Sequence, residues 1–398
     1  MARVAAIAAT GFETLHFGDA PAYLSAARTL VETGKYPKET DYHSFRAPGY
    51  PVFLVAATLG DPNRVVLAKL ANAVLGSACA VLLAALSARL FRRRPIAVAT
   101  GAVAALDPAL VLTSADVQSE PLFLLFLLSA AFLLSVCLDR PSSNAGVLAG
   151  GALALAALTR PTALALAPLL AAPLADGRWP VRARVHLAGS TLLGFVLLLA
   201  PWTIRNALVY RELVPVSDLG AVNLYLGNSD LMARFYGIRT RAEYDAWIRE
   251  MKRTTEEKHA LLEKRGIVSP SQRSRGYLEM ALEERRHNPS ATPALWRNKL
   301  WDWLRPYPNP LFWPHGIVIA VGVFYAALYV FAARGLIRSP RSGASLFAAA
   351  VLVVSLLAHL PFVVVWRYRI PYWDPILILY GVYGVADASG IRPAGVRI

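Results

Sequence analysis

The sequence predicts an all-α protein that crosses a membrane many times, with about nine or ten spans. Of its 398 residues, 56% are hydrophobic and only 17% are charged, whereas a soluble domain carries about 25% charged residues. The mean hydropathy is +0.43. Apolar runs long enough to cross a bilayer, which takes about 20 residues, recur between short loops that contain arginine.

The excess of basic residues fits a membrane protein better than a nucleic-acid-binding protein. The formal net charge is +15, and in membrane proteins such charge collects in cytoplasmic loops facing anionic lipid. No basic helix in the sequence carries interleaved aromatic residues. Cys79 and Cys137 lie in apolar runs and are most simply small core residues. They indicate neither a disulfide framework nor a metal site.

The N-terminal segment MARVAAIAAT has one arginine and a short apolar run. It is too short to span a bilayer alone and makes a poor secretory signal. It is interpreted either as the outer end of a first transmembrane helix that is mostly missing, or as a short surface arm.

Residues 18–51 form the most polar, turn-rich segment in the first half of the chain. Asp19 stands in N-cap position and Gly34 in C-cap position of a helix. Apolar residues recur at helical spacing over 19–33, which predicts a helix lying on the membrane surface. A Pro-Gly-Tyr-Pro turn at 48–51 then starts a short apolar segment.

The later apolar runs are predicted to cross the membrane, except for one pair of half-length helices. The runs taken as spans are 63–88, 95–113, 117–138, 185–203, 314–333, 344–365 and 371–387. The half-length helices, 145–159 and 161–175, meet at Arg160.

Three parts of the chain are expected from this pattern. An N-terminal transmembrane module with catalytic external loops covers 1–206, and a mostly helical extracytoplasmic region covers 207–312. C-terminal transmembrane helices cover 313–398. The middle part is interpreted as charged helices with breaks that include Gly237 and Gly266.

Arginine-bearing loops predict the orientation, because such short loops favour the cytoplasmic side. The loops assigned to that side are 89–94, 139–144, 176–184 and 334–342. Alternation then places five segments together on the extracytoplasmic side: 18–51, 107–120, 159–161, 205–312 and 366–371. The remaining unusual polar elements therefore share one face of a multi-pass protein of the cell membrane, interpreted as a bacterial inner or plasma membrane.

Acidic residues on that face are candidates for chemistry. Asp19 is suited to accept a proton from a hydroxyl as a general base, although a helix N-cap explains it equally simply. Glu120 begins an apolar run, and a carboxylate at the edge of the hydrocarbon is costly without a partner. A stabilising first-turn acid is its alternative. Asp107 and Asp116 are interpreted as loop or capping residues, with Asp116 kept as a substrate-binding candidate.

Cations on the extracytoplasmic face run against the charge rule and call for an anionic partner. A guanidinium binds phosphate through two parallel hydrogen bonds, whereas headgroup binding or snorkelling is the plainer alternative. The basic candidates are Lys35, Arg46, Arg160, Arg205, Arg367 and Arg369. The polar candidates beside them are Tyr50, Asn206 and Tyr368.

An ordered set of segments resembles a known family. GDAPAYLSAARTLVETGKYP followed by FRAPGYP resembles the first external loop of GT-C glycosyltransferases, of the protein O-mannosyltransferase and lipid A aminoarabinose transferase type. SADVQSEPLF resembles their second acidic motif, with Glu120 at the acid position. LTRPTAL, PWTIRNALVY, GAVNLYLGN and RYRIPYWDP resemble later segments. The resemblance covers about residues 15–230 and 355–385 and implies a GT-C-type helix bundle, with a sequence truncated at its N-terminus.

The resemblance implies an inverting glycosyltransferase, moving a hexose or pentose from a polyprenyl phosphate to a hydroxyl of a lipid, glycan or protein on the extracytoplasmic face. Asp19 would be the base, and Glu120 would orient hydroxyls or set the charge of that base. The implied phosphate ligands are Arg205, Arg367 and Arg369, then Lys35 and Arg46. No cofactor is required, although a divalent cation near the acids would be compatible. The expected partners are the lipid-linked donor, membrane lipids and a hydroxyl acceptor, without nucleic acid.

Two other functions stay open at this stage. A transporter or flippase for a lipid-linked or anionic substrate is favoured only by the half-length helix pair, since no inverted repeat is present. The other is a non-catalytic scaffold that binds lipid phosphate.

Overall fold

A computed structural model describes residues 1–40, 42–339 and 343–390, with side chains from 347 onward in the last range. Every regular element in these ranges is a helix, so the all-α prediction is confirmed. The predicted loop 334–342 lies partly outside them.

The α-helices, numbered in chain order, are α1 Ala2–Thr10, α2 Ala20–Thr33, α3 Gly49–Ala57, α4 Val65–Phe91, α5 Arg94–Leu106, α6 Pro108–Ser114, α7 Glu120–Asp139, α8 Ser143–Thr159, α9 Val181–Tyr210, α10 Leu219–Asn228, α11 Asp230–Phe235, α12 Arg241–Lys264, α13 Pro270–His287, α14 Thr292–Leu304, α15 His315–Arg338, α16 Gly343–His359 and α17 Ile370–Ala388. Three 3₁₀ helices cover Pro161–Ala175, Pro289–Ala291 and Trp366–Arg369. We call the last one the arginine turn.

Four described helices are long and apolar enough to cross a membrane, namely α4, α7, α9 and α15. Counting the bent pair α5 and α6 as one span brings the number to five. Shorter apolar helices are α8, Pro161–Ala175 and Phe347–His359.

The run predicted as one span over 95–113 bends by 54° between α5 and α6. Asp107 ends α5, and its side chain accepts a hydrogen bond of 2.9 Å from the Leu110 amide. Pro108 has no amide hydrogen to continue the first helix. The bend therefore follows from a cap and a proline, and it confirms the capping role predicted for Asp107.

Two helix pairs pack so closely that only glycine fits between them. A Cβ on Gly194 of α9 would lie 1.9 Å from the Val147 carbonyl oxygen of α8. A Cβ on Gly384 of α17 would lie 2.0 Å from the Phe331 carbonyl oxygen of α15. Small residues allow backbones to approach in this way within membranes, and these contacts fix α17 against α15.

The helix predicted over 19–33 is observed as α2. Its buried face contains Tyr23 and Leu24, in one apolar cluster with Tyr50 and Leu54 of α3. Gly34 ends it with φ of +67°, a conformation that side chains with a Cβ rarely adopt. The helix thus holds Asp19 at its first turn, beside α3.

The half-length pair takes an unexpected form in its second member. The helix α8 ends at Thr159, and Arg160 is extended with φ of −139°. The following segment is 3₁₀ rather than α-helical and contains Pro168 and Pro173. Proline removes the amide hydrogens that α-helical bonds require. Arg160 consequently lies in the extended link between α8 and this 3₁₀ helix.

The helices α10, α12 and α13 form a second apolar cluster, apart from the spans. Tyr225, Leu262 and Tyr277 are buried in it. Reciprocal capping boxes begin α12 at Thr240 and α13 at Ser269, and such boxes satisfy amide groups at helix starts. The predicted polar region is therefore a packed helical unit of its own.

Candidate functional site

Two carboxylates and three guanidiniums from five separate segments meet in what we call the charged cluster. Asp19 comes from the start of α2 and Glu120 from the first residue of α7. Arg46 lies in the loop before α3, Arg160 follows α8 and Arg367 belongs to the arginine turn. All five stand at helix ends or in connections, so the fold places them on one side of the bundle.

Arg367 bridges both carboxylates of the charged cluster. Its guanidinium donates a hydrogen bond to Asp19 Oδ2, and its Nε lies 3.3 Å from Glu120 Oε1. Arg46 Nη2 lies 2.9 Å from Asp19 Oδ1. Arg160 Nη1 lies 3.0 Å from Glu120 Oε1. Each carboxylate thus has two arginine neighbours.

Exposure differs between the two acids. The Asp19 side chain is 27% exposed, whereas that of Glu120 is 2% exposed. Both Glu120 oxygens are buried and accept no hydrogen bond from the described residues, although they lie within ion-pair distance of arginine. Asp19 is therefore the acid that a ligand can reach, and Glu120 lies behind it.

Electrostatics keep Asp19 ionised. Burial alone would raise the pKa of Asp19, but the Arg46 and Arg367 guanidiniums hold it well below its usual range. Burial opposes the charge of Arg367, yet Glu120 and Asp19 raise its pKa above the usual arginine value. A carboxylate in this state is a weak proton acceptor, because a base works best with a pKa near the working pH.

Aromatic rings lie against the arginines of the cluster. The Arg46 guanidinium lies 4.8 Å from the centre of the Tyr23 ring. Tyr368 lies between two arginines, with ring-centre distances of 5.5 Å to Arg160 and 5.6 Å to Arg367. Such contacts favour the cation and hold the planar group in place. Tyr368, a predicted site residue, therefore helps to fix two guanidiniums.

Neutral side chains complete the setting. Gln118 Oε1 accepts a 3.1 Å hydrogen bond from Arg367, and Ser119 Oγ accepts a 3.2 Å bond from Arg160. The centre of the Phe17 ring lies 4.9 Å from the Arg367 guanidinium. Sequence reasoning missed Gln118 and Phe17. The signal for Gln118 was its place two residues before Glu120, whereas nothing in the sequence singled out Phe17.

Two predicted site residues lie beneath the cluster rather than in it. Asp116 accepts hydrogen bonds of 2.8 Å from the His16 amide and 2.7 Å from the Val117 amide. Tyr50 is fully buried and its hydroxyl accepts a 2.9 Å bond from Asn72. Main-chain and core partners thus occupy polar atoms of both residues, and a contact of either with substrate stays a prediction.

Three more predicted residues lie elsewhere. Lys35 is exposed just past the end of α2. Arg205 donates to the Tyr36 carbonyl at 2.9 Å and lies 4.9 Å from the Trp202 ring. Asn206 donates to the Val214 carbonyl at 2.9 Å. Arg205 and Asn206 thus tie the end of α9 to neighbouring loops, outside the charged cluster, and their predicted binding of substrate stays a prediction.

Arg369 points away from the charged cluster and is fully buried. Its Nε lies 3.4 Å from Asp374 Oδ1, and its Nη1 donates to the Arg305 carbonyl at 3.0 Å and to the Tyr329 hydroxyl. Arg367 and Arg369, predicted to bind the same phosphate, therefore have separate sets of partners in the structure. Residues in a 3₁₀ helix are spaced by about 120° around its axis, so two positions apart they leave in different directions.

The helical unit formed by α10 to α14 holds the main chain that leads to Arg367. Four of its side chains hydrogen-bond to residues 360–366, at distances from 2.6 to 3.1 Å. They are Asn228, Tyr236, Lys299 and Asp302. This unit therefore sets the position of the arginine turn, whatever else it binds.

No group of three or more His, Cys, Asp or Glu side chains that could hold a metal ion occurs in the part of the chain that the structure describes. The two acids of the charged cluster each face arginines instead.

Comparison with known proteins bears on fold and family. Residues 49–204 match a family model described as dolichyl-phosphate-mannose-protein mannosyltransferase. This segment contains Glu120 and Arg160, whereas Asp19, Arg46 and Arg367 lie outside it. A search of curated proteins gave no match.

Solved structures of low sequence identity share the fold. The oligosaccharyltransferase AglB of Archaeoglobus fulgidus, in complex with an inhibitory peptide and a dolichol-phosphate, superposes with a TM-score of 0.52 at 14% identity. The match covers 100% of this chain and 52% of AglB, so the chain spans about half the length of that enzyme.

The apo form of the A. fulgidus oligosaccharyltransferase gives a TM-score of 0.55 at 12% identity, over 98% of this chain and 50% of that one. ArnT of Cupriavidus metallidurans, bound to undecaprenyl phosphate, gives 0.43 at 16% identity, over 98% and 77% of the two chains.

Proposed function

The chain has the GT-C fold, and from this premise we propose that it is an inverting membrane glycosyltransferase. Its donor would be a sugar linked to a polyprenyl phosphate, and its acceptor a hydroxyl group on the extracytoplasmic face. The observation that carries the proposal is the charged cluster, where Arg46, Arg160 and Arg367 surround Asp19 and Glu120.

A phosphate-bearing donor fits the charge and geometry of the cluster. Three guanidiniums from three segments lie around a partly exposed acid. Guanidiniums match the oxygens of a phosphate, and fixed positive charge stabilises the negative charge that develops on a leaving group. Dolichol-phosphate is present in the AglB structure, which supports a lipid phosphate as the corresponding partner here.

The weak basicity of Asp19 suggests when it would act. In the free protein its carboxylate is neutralised by Arg46 and Arg367. A donor phosphate that takes up part of these guanidiniums would weaken both ion pairs, and the pKa of Asp19 would rise towards its usual range. Asp19 would then accept the acceptor's proton more readily when the donor is bound.

The proposed reaction is a single displacement. The acceptor oxygen forms a bond to the anomeric carbon while the bond from that carbon to the phosphate oxygen breaks. The hydroxyl proton passes to Asp19, and the bonding electrons leave with the lipid phosphate, whose charge the arginines stabilise. Attack opposite the phosphate inverts the anomeric configuration.

Glu120 has a different proposed role. It is buried and lies 3.0 Å from Arg160 and 3.3 Å from Arg367, so it holds the two guanidiniums in a shared position. Its replacement by glutamine would leave two arginines repelling each other, and donor binding would weaken more than proton transfer.

We also propose that the site is extracytoplasmic and works without a metal ion. The loops with arginine predict an extracytoplasmic site. The arginines supply the positive charge that a metal would otherwise bring, and a divalent cation near the acids remains compatible with them. Transfer activity that survives EDTA would support catalysis without a metal ion.

The central experiment compares cells that lack the protein with cells that express wild type, Asp19→Asn or Asp61→Asn. Asp61 is a partly exposed acid in the loop before α4, paired with Arg64, and serves as the matched control. Mass spectrometry of envelope glycolipids, glycans and glycoproteins should show a sugar that wild type and Asp61→Asn restore.

Asp19→Asn should leave that sugar absent at equal protein level in the membrane, with a loss of about 10²–10⁴-fold in transfer. Full restoration by Asp19→Asn would overturn the assignment of Asp19. Transport of a lipid-linked substrate in sealed vesicles without any sugar transfer would instead favour a flippase.

A further inference from the structure

The outward side of α14 is apolar although it is exposed. Trp301 is 56% exposed, and Trp296 and Leu300 are each 39% exposed. The exposed residues of this helix are Pro293, Ala294, Trp296, Arg297, Leu300 and Trp301. Arg297 is the single charged residue in that list. Contiguous exposed apolar surface of this kind marks a site of interaction rather than ordinary protein surface.

The inward side of the same helix is already committed to the protein. Leu295, Lys299, Asp302 and Trp303 are buried. Lys299 donates to the Leu360 carbonyl at 2.8 Å, and Asp302 accepts from the Trp366 amide at 2.9 Å. The apolar residues outside are therefore a second face, and α14 cannot bury them by rotating.

The position of α14 in the chain places its outward face near the bilayer. It ends at Leu304, and the spanning helix α15 begins at His315. The residue Phe312 in the link between them is exposed, as are Ile319 and Val323 on α15. The short link keeps α14 close in the chain to the end of a helix that is long and apolar enough to cross the membrane.

The composition of this segment fits a membrane interface. Four of the nine tryptophans of the chain, Trp296, Trp301, Trp303 and Trp313, fall within eighteen residues. Tryptophan is enriched at the level of the lipid headgroups. An interfacial helix has an apolar face in the outer part of the acyl layer and basic side chains that reach the phosphates, as Arg297 can.

We propose that α14 lies in the headgroup layer of the bilayer, with Trp296, Leu300 and Trp301 inserted among lipids, on the side of the membrane that holds the charged cluster. The partner is the lipid surface itself. This proposal does not rest on the proposed reaction, because it follows from the exposed face of α14 and its junction with α15.

The depth of α14 in the membrane also bears on the charged cluster. The inward side of α14 holds the arginine turn through Asp302, and Arg369 donates to the Trp303 carbonyl at 3.3 Å. A helix held at the headgroup layer would therefore hold Arg367 at a fixed depth relative to lipid phosphates.

The test uses nitroxide spin labels on single cysteines in the full chain, reconstituted into vesicles of phosphatidylethanolamine and phosphatidylglycerol. The buried residues Cys79 and Cys137 are replaced by alanine. Labels are placed at Trp296→Cys and Trp301→Cys. Ala260→Cys on the exposed side of α12 is the aqueous control, and Val323→Cys on α15 is the lipid control.

Collision rates with oxygen, which concentrates in lipid, are compared with those of a water-soluble nickel chelate. We expect the ratio of oxygen to nickel collisions at positions 296 and 301 to be severalfold higher than at 260 and close to that at 323. A ratio like that at 260 at both positions would overturn the proposal, since the face would then lie in water.

Protection from both reagents, with dipolar broadening that grows with the protein-to-lipid ratio, would also overturn it, because a second copy would then cover the face. The two labelled positions guard against a local effect of one substitution. Both variants must retain the elution profile of the unlabelled protein in detergent, so that the ratios describe the folded chain.

Discussion

Arg367 and Arg369 are separated by one residue, yet they lie in two opposite kinds of environment. Arg367 contacts Asp19 and Glu120, carboxylates that other arginines also contact. Arg369 is fully buried and contacts Asp374, main-chain carbonyls and Tyr329. Arg367 shares its carboxylates with other arginines, and one of these carboxylates is partly exposed. Arg369 and its carboxylate partner Asp374 are both fully buried.

This difference predicts that Arg367 can exchange a partner for a ligand, whereas Arg369 cannot. Asp19 contacts Arg46 as well as Arg367. If Arg367 turned towards a ligand, Asp19 would therefore still have a cationic partner. A buried guanidinium bound to carbonyls and to one carboxylate cannot be released, because an unpaired buried charge is costly. Nearness in sequence to a site residue is therefore a poor guide to function, whereas the partners of each side chain are a better one.

The largest expected effect is on stability, from Arg369→Met. Removing this guanidinium leaves Asp374 buried without its cation and should lower the free energy of unfolding by about 3–5 kcal/mol. Thermal unfolding of the purified protein in detergent measures it, with Arg367→Met as the matched variant. Equal destabilisation by the two substitutions would remove the distinction drawn above.

Next comes transfer activity, for which Arg367→Gln is the decisive variant. We expect a loss of about 10²–10³-fold, the effect of removing one group that stabilises charge in a transition state, with near-normal thermal stability. Mass spectrometry of the glycosylated product at matched protein level provides the measurement. Arg205→Gln is the control, because its guanidinium contacts Tyr36 and Trp202 instead, and a comparable loss there would contradict the assignment.

A smaller effect is expected from Tyr325→Phe in the buried network. The Tyr325 hydroxyl lies 3.0 Å from both Asp107 oxygens and 2.9 Å from Asp374 Oδ2, and it links α15 to the bend between α5 and α6. Its loss should destabilise the protein by about 1–3 kcal/mol while transfer per folded molecule is unchanged. A selective loss of transfer at full stability would show that this network takes part in catalysis.

The smallest effect concerns pH. Because the folded-state pKa of Asp19 lies below its usual value, its ion pairs stabilise the fold above about pH 4. That contribution is lost as the pH falls through the lower folded-state pKa. The difference in Tm between wild type and Asp19→Asn should thus be largest above pH 5 and shrink below pH 4. A difference independent of pH between 3 and 7 would contradict this.

Much of the fold was predictable because it depends on local patterns. Helical spacing predicted α2 between Asp19 and Gly34, and the observed helix ends with the expected glycine conformation. Apolar length and charge predicted a helical membrane protein. The bend at Asp107 was not predicted, because the hydropathy of an apolar run does not show where a helix inside it ends and another begins in a new direction.

The candidate site was predictable only in part. The charge rule grouped Asp19, Glu120 and the arginines predicted to be extracytoplasmic on one face. It could not separate Arg160 and Arg367, which join the charged cluster, from Arg205, which lies elsewhere. That choice depends on contacts between residues as far apart as Asp19 and Arg367, 348 positions along the chain.

By itself, the sequence determined that this is a helical membrane protein, where many of its helices lie and which segments are rich in charge. Hydropathy and helical spacing are properties of neighbouring residues. Only the tertiary structure decided which charges meet. The direction in which Arg367 and Arg369 leave a 3₁₀ turn, and the way α14 holds that turn, depend on how distant helices pack. Side-chain partners are chosen by that packing, and no local pattern records it.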